Sequence, residues 1–158
     1  MSLTKNLLRE VSATDSESDY IAVELLWNVL VKAAHAKDEQ CEFKRLLLLI
    51  ADLNPAQVAA WMHDHSVNIL LDLQPPLETV LADRNERIQP SNAVAEIATI
   101  RTTRVAEPRK AAVALLSVLK RIRNKRIHGF KTPDGLRDVE ILGASRSLLR
   151  ALCHSLIH

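Results

Sequence analysis

Glycine is scarce in this chain of 158 residues, which contains only Gly129, Gly135 and Gly143. The first 128 residues therefore have no glycine with which to form tight turns at positive φ. Aromatic residues make up 3% of the chain, too few for a sheet surface that stacks nucleic-acid bases. Both shortages favour helices joined by short loops, and the sequence contains no glycine-rich phosphate-binding loop.

Cysteines and long apolar segments are also few. Cys41 and Cys153 stand alone, without a CxxC pair or the spacing of metal ligands, which predicts a reduced, cytoplasmic compartment and no disulfide framework. Apolar runs such as residues 46–51 are far shorter than the roughly 20 residues of a membrane span. The amino end carries no signal-peptide pattern, so we expect a soluble protein.

The formal net charge is only +2, because 21 Lys and Arg residues are nearly balanced by 19 Asp and Glu residues. This balance does not by itself indicate a nucleic-acid partner, so any contact with a polyanion must be local. With 47% hydrophobic residues and a length typical of one domain, the chain can form one sizeable core. We predict a single domain over residues 1–158.

Apolar residues recur at helical spacing along most of the chain, and no segment shows the alternation of a strand. The sequence therefore predicts an all-α fold. The first predicted helix ends near residue 36. Further helices are predicted over approximately residues 39–53, 58–73 with a break near 63–66, 77–88 and 93–102. A long helix begins at residue 108, and a final helix lies at the carboxyl end.

Two segments carry local signals of a helix start. Thr14 and Glu17 are spaced as a capping box ahead of the first predicted helix, which leaves residues 1–17 as a flexible amino-terminal segment. Asn54 can cap the helix that follows it, and Pro55 suits the first turn of that helix.

The helix that begins at Pro108 is the longest predicted element. Its apolar face continues to Ile122, which places Arg123 near the buried side. Gly129 suits the left-handed position that closes a helix, and residues 132–135 (TPDG) are typical of a turn. We expect the final helix to pack antiparallel on this long helix across the short turn.

The segment RNKRIHG, residues 123–129, combines the groups that phosphodiester chemistry requires. The imidazole of His128 can transfer protons near neutral pH, and the guanidinium of Arg123 can hold two phosphate oxygens. Asn124 adds an amide that can orient the imidazole or a phosphate oxygen. No acidic residue lies between positions 120 and 131, and the basic residues predicted to bind substrate there are Lys120, Arg121, Lys125, Arg126 and Lys131.

A long helix that ends in Arg-Asn-x-x-x-His-Gly, followed by a polar turn and a final amphipathic helix, resembles the HEPN domain. The resemblance is strongest over residues 108–157 and implies an up-and-down helical bundle that dimerises. It also implies cleavage of RNA without a metal or other cofactor, at a composite site in which Arg123 and His128 of both protomers meet beside Asn124. Residues 75–107 exceed a minimal bundle and would form an inserted helical pair.

The resemblance implies a biological setting as well. The wider family occurs in toxin–antitoxin, phage-defence and RNA-processing systems, so a toxin or defence effector is expected. An antitoxin or a nucleotidyltransferase-like protein is the partner that such a setting implies.

Two other functions remain open from the residues alone. The basic segment can bind RNA, nucleotide or protein without turnover. Its basic residues can also have a purely structural role, because cations near a helix carboxyl end are favourable through the helix dipole alone. In a scaffold protein, Arg123 would form an internal salt bridge to a carboxylate such as Asp138 or Glu140. The nuclease requires both His128 side chains to face one accessible cleft, the binding module requires only an exposed basic surface, and the scaffold buries or neutralises Arg123.

The remaining candidate residues favour structural roles. His63 and His65 flank Asp64, but residues two apart point in different directions on a helix and no further metal ligand is evident. Trp27 and Trp61 lie within apolar helical patterns, so we expect both to pack in the core or an interface.

Overall fold

Nine α-helices make up most of the part of the chain that the structure describes. The structure, a computed structural model, describes residues 3–37, 39–74, 76–81, 92–128 and 136–157. These residues contain no β-strand, which confirms the predicted all-α class. The helices are α1 (Leu3–Ala13), α2 (Asp19–Ala33), α3 (Glu42–Ala51), α4 (Pro55–Met62), α5 (His65–Leu71), α6 (Leu77–Leu81), α7 (Asn92–Thr103), α8 (Pro108–His128) and α9 (Leu136–Leu156).

The amino-terminal segment differs from the sequence prediction. Residues 3–13 form α1, which packs on α2 and buries Leu7 and Val11, so they do not match the flexible segment expected over residues 1–17. A buried leucine and valine four positions apart lie on one face of a helix and can pack on a neighbouring helix.

The start of α2 also differs from the prediction. Thr14 lies in a 3₁₀ turn, Thr14–Ser16, where its hydroxyl donates to the Val11 carbonyl at 2.6 Å. That hydroxyl therefore satisfies a carbonyl at the end of α1 instead of an amide at the start of α2. The cap of α2 is Ser18, whose hydroxyl accepts a hydrogen bond from the Ile21 amide. The predicted Thr14–Glu17 capping box is wrong.

The later local signals are confirmed. Asn54 accepts a hydrogen bond from the Gln57 amide at 2.8 Å, and the Gln57 side chain accepts one from the Asn54 amide at 3.1 Å. Pro55 occupies the first position of α4, where no amide hydrogen is needed. The predicted break follows directly, because α4 ends at Met62 and Asp64 caps α5 by accepting from the Ser66 amide.

One continuous hydrophobic core extends from Leu7 to Ile157. α2 packs along α9 and α7 packs along α8, while α4 contacts both α8 and α9. Trp27 and Trp61 are buried, as predicted. The indole of Trp61 donates to the Leu148 carbonyl at 3.0 Å, which satisfies its polar atom inside the core.

The sequence predicted that the final helix packs on the long helix before it, but this is not its main contact. α9 lies chiefly against α2 and α5 and makes a smaller contact with α8. The apolar face of α8 is covered by α7 instead, through the buried residues Ala93, Ile97 and Ile100. The part of segment 75–107 that forms α7 therefore belongs to the core, and residues 82–91 lie outside the described residues.

Three arginines at the junction of α7 and α8 bind the carboxyl ends of three earlier helices, and we call them the arginine clamp. Arg101 donates to the Leu71 carbonyl of α5, and Arg104 donates to the Met62 carbonyl of α4. Arg109 binds the end of α3. Its acceptors are the carbonyls of Ile50 at 2.8 Å, Ala51 at 3.4 Å and Leu53 at 2.7 Å. These cations donate to carbonyls at or just beyond helix ends, where the regular helical hydrogen bonds stop. The Ile50 carbonyl also accepts from the Leu53 amide at 3.1 Å.

Among the described residues, no helix combines the length and the apolar character that crossing a membrane requires.

Candidate functional site at the carboxyl end of α8

Arg123 lies in the last two turns of α8 and is joined to Glu24 of α2 by two hydrogen bonds. Its Nε donates to Glu24 Oε2 at 2.9 Å, and its Nη2 donates to Glu24 Oε1 at 2.8 Å. Each of the two side chains is 25% exposed. The hydrogen bonds to Glu24 raise the pKa of Arg123, burial opposes this shift, and the charges of Glu24 and Glu42 add to the increase.

Asn124 completes this arrangement from the next position of the helix. Its Oδ1 accepts a hydrogen bond from Arg123 Nη1 at 3.2 Å. A guanidinium carries five N–H donors, and the contacts with Glu24 and Asn124 use three of them within the described residues. The plane of Arg123 is thus fixed, while donors on Nη1 and Nη2 remain for a further acceptor.

Lys120 lies one turn before Arg123, on the side of α8 that faces α3. Its Nζ is 4.8 Å from the centre of the Phe43 ring, which is the geometry of a cation–π contact. Glu42 lies beside this ring in the sequence and accepts a hydrogen bond from the Trp27 indole at 3.4 Å. Lys120 and Arg123 are therefore accompanied by two carboxylates, those of Glu24 and Glu42.

Arg121 occupies a different side of α8, where α7 packs. Its Nε and Nη2 bind the carboxylate of Glu96 at 2.8 and 3.2 Å, and the Ser117 hydroxyl donates to the same carboxylate at 2.6 Å. Residues two positions apart point in different directions on a helix. The structure therefore separates Arg121 from the Arg123 side, although both were predicted to belong to one substrate-binding surface.

The other predicted site residues are described in part or not at all. Lys125 is half-buried and has interactions within the protein. The side chains of Arg126 and His128, and all of Lys131, lie outside the described residues. His128 is the last residue of α8, and only its backbone is described. Five positions on a helix correspond to a rotation of about 140°, so His128 is attached well around the helix axis from Arg123.

The carboxylates that pair with Arg121 and Arg123 are those of Glu96 in α7 and Glu24 in α2. Neither was predicted from the sequence. The salt-bridge partner of Arg123 is Glu24, which lies 99 positions away, and not Asp138 or Glu140. Glu24 interrupts an otherwise apolar part of α2 between Val23 and Leu26, both of which are buried. A carboxylate so placed is a weak signal that a cation will pair with it in the fold.

The remaining candidates do not form a second site. His63 and His65 are exposed at the junction of α4 and α5. No group of three or more His, Cys, Asp or Glu side chains with the geometry of a metal site occurs among the described residues.

Comparisons with protein-family models, with curated proteins and with solved structures find no match to this chain.

Proposed function

We propose that this protein is a metal-independent endoribonuclease of the HEPN type, with a composite site formed across a homodimer. The support is the motif itself, its position at the end of a long helix in an all-α bundle, and the orientation of Arg123. The observation that carries the proposal is that Glu24 and Asn124 hold a partly exposed guanidinium in one plane, with donors remaining for an anion.

In the proposed reaction, one His128 imidazole removes the proton of a ribose 2′-OH, and the 2′ oxygen attacks the adjacent phosphorus. The bond from phosphorus to the 5′ oxygen breaks, and the second His128 protonates that leaving oxygen. The products are a 2′,3′-cyclic phosphate and a 5′-hydroxyl end. Because the base and the acid act on opposite sides of the phosphate, the site needs two imidazoles, and a twofold dimer supplies them.

Arg123 would stabilise the charge that develops on the phosphate oxygens of the transition state. Its bidentate contact with Glu24 keeps the guanidinium in place before substrate binds, so less rotational entropy is lost on binding. Lys120, one turn away, can exchange its contact with the Phe43 ring for a neighbouring phosphate.

In the same proposal the protein acts as a toxin or defence effector, and an antitoxin or nucleotidyltransferase-like partner neutralises it. This setting follows from the HEPN resemblance alone.

A second function is favoured by a specific observation. The two hydrogen bonds to Glu24 neutralise Arg123, as a scaffold protein requires. In that case the motif stabilises the fold and does not cleave RNA. A non-catalytic RNA-, nucleotide- or protein-binding module requires only an exposed basic surface, so this pairing does not favour it.

Incubation of purified protein with RNA in the presence of a chelator separates the two functions. The wild type is compared with His128→Ala and with the matched control His154→Ala, which removes an exposed histidine of α9. The nuclease predicts cleavage by the wild type and His154→Ala, loss in His128→Ala, and 2′,3′-cyclic phosphate ends. Equal cleavage by all three proteins, or none by the wild type, would contradict it.

A further inference from the structure

α2 is buried along most of its circumference, and its exposed residues form one narrow line along the helix. Two of them are large and apolar: Ile21 is 44% exposed and Leu25 is 39% exposed. Polar residues continue the line at both ends. We call this line the α2 stripe, and it consists of Ser18, Ile21, Leu25, Asn28 and Lys32.

We infer that the α2 stripe is the contact through which two copies of this chain pair, with their α2 helices antiparallel about a twofold axis. This inference rests on the proposed function, because it supplies the second Arg123 and the second His128 that the composite site requires. A twofold contact uses the same residues from both copies, so the stripe must be complementary to itself.

The apolar part of the stripe is complementary to itself in one antiparallel register. When the axis passes at the level of Val23, Ile21 faces the partner's Leu25 and Leu25 faces the partner's Ile21. Exposed apolar side chains are thereby removed from water in both copies. In the same register Asn28 faces the partner's Ser18, so polar groups meet polar groups.

The charges at the two ends of the stripe are complementary in this register as well. Lys32 falls opposite the partner's turn at Asp15, and the twofold axis repeats this pairing. Lys32 already binds Glu10 yet is 56% exposed, and Asp15 already binds Arg150 yet is 48% exposed. Both groups can therefore join a wider ion-pair network across the interface.

The antiparallel orientation also places the two candidate sites on the same side of the dimer. Glu24 lies about 100° around α2 from Leu25, on the flank where it binds Arg123 of α8. A twofold axis perpendicular to α2 keeps that flank on one side for both copies, whereas a parallel pairing would put the two flanks on opposite sides. Glu24 is one residue from the level of Val23, so the two Arg123–Glu24 pairs are offset by only about 3 Å along the helix direction.

The first test measures oligomeric state by sedimentation velocity over a range of concentrations. Leu25→Glu is compared with Val105→Glu, which adds the same charge at a residue that is 78% exposed in the turn between α7 and α8. We expect a wild-type dimer, a dissociation constant raised at least about tenfold in Leu25→Glu, and no change in Val105→Glu. Circular dichroism checks that all three proteins keep the same helical content.

The second test examines the register by disulfide cross-linking in a Cys41→Ser background, which removes the exposed native thiol. Ile21→Cys and Leu25→Cys proteins are oxidised separately and as a mixture. Because Ile21 faces the partner's Leu25, the mixture should cross-link faster than either protein alone. Equal rates, or faster linking of one protein with itself, would overturn the register.

The outcomes separate this inference from the proposed nuclease. A monomeric wild type, or a dimer that Leu25→Glu leaves intact, would overturn the interface. Cleavage of RNA by a monomeric Leu25→Glu variant would leave the interface standing and contradict the composite site of the proposed nuclease. A dimer that is disrupted only by Leu25→Glu, yet never cleaves RNA, supports the interface and contradicts the nuclease.

Discussion

Arg121 and Arg123 are two positions apart on α8, but their guanidinium groups are held on different sides of the helix. Glu96 of α7 binds Arg121, and Glu24 of α2 binds Arg123. The basic segment is thus divided by the helices that pack around it. Arg121 takes part in the contact between two core helices, whereas Arg123 and Asn124 form a partly exposed group with donors that can reach a ligand.

RNA binding should depend differently on neighbouring residues of α8. A plot of the logarithm of RNA affinity against the logarithm of salt concentration has a negative slope. We expect Lys120→Ala to reduce the magnitude of this slope by about 0.7–0.9, which corresponds to the loss of one phosphate contact. Arg121→Ala should leave this slope nearly unchanged, because Glu96 already neutralises Arg121. Filter binding at several salt concentrations measures both. An equal loss of slope in the two variants would contradict the separation of Arg121 from the site.

Glu24→Gln should lower both stability and cleavage. The substitution removes the charge that holds Arg123, and we expect the free energy of unfolding to fall by about 1–2 kcal/mol. A double-mutant cycle with Arg123→Gln, measured by urea unfolding, isolates the coupling between the two residues. The control Asp52→Asn removes the more exposed pair with Lys37 and should cost less than about 1 kcal/mol. A coupling near zero would show that the pair does not stabilise the fold.

Arg109 should contribute strongly to stability through the end of α3. Arg109→Ala removes the arginine donor of the Leu53 carbonyl and leaves the Ile50 carbonyl with only a backbone donor, the Leu53 amide at 3.1 Å. We expect a loss of about 2–3 kcal/mol in the free energy of unfolding. The neighbouring Lys110 is exposed, and Lys110→Ala should change this energy by less than about 0.5 kcal/mol. Urea unfolding of both variants checks the difference, and equal midpoints would argue against the clamp.

The two cysteines should differ in reactivity. Cys41 is exposed, and the backbone amides of Lys44 and Phe43 at the start of α3 lower its pKa, whereas burial raises the pKa of Cys153 to about 12. Only the thiolate reacts quickly with iodoacetamide. At pH 8 the native protein should therefore take up one equivalent, at Cys41, and a second only after unfolding. Mass spectrometry of the wild type and of Cys41→Ser measures this, and rapid native labelling of Cys153 would contradict its burial.

Most helices could be predicted from the sequence because their signals are local. The capping box of Asn54 and Gln57 involves residues three positions apart, and the break before α5 follows from Asp64. α1 was not predicted, because Leu7 and Val11 are buried residues in a mostly polar segment. The sequence of that segment does not indicate the helix against which they pack.

The candidate site could be predicted only in part. The sequence indicates Arg123 and Asn124 as neighbours at the end of a long helix, and the structure brings their side chains into contact. The partners Glu24 and Glu96 depend on how α2 and α7 pack against α8, which spacing along the chain does not determine. For the same reason, the absence of acidic residues between positions 120 and 131 did not predict an unopposed positive surface.

The arginine clamp has a consequence for how the chain folds. Five main-chain carbonyls at the ends of α3, α4 and α5 accept hydrogen bonds from arginines within residues 101–109. A fragment that stops before Arg101 would expose these carbonyls and also lack α8 and α9, on which α4 and α5 pack. The amino-terminal and carboxyl-terminal halves should therefore unfold in a single cooperative transition, and each half alone should stay unstructured until the other is added.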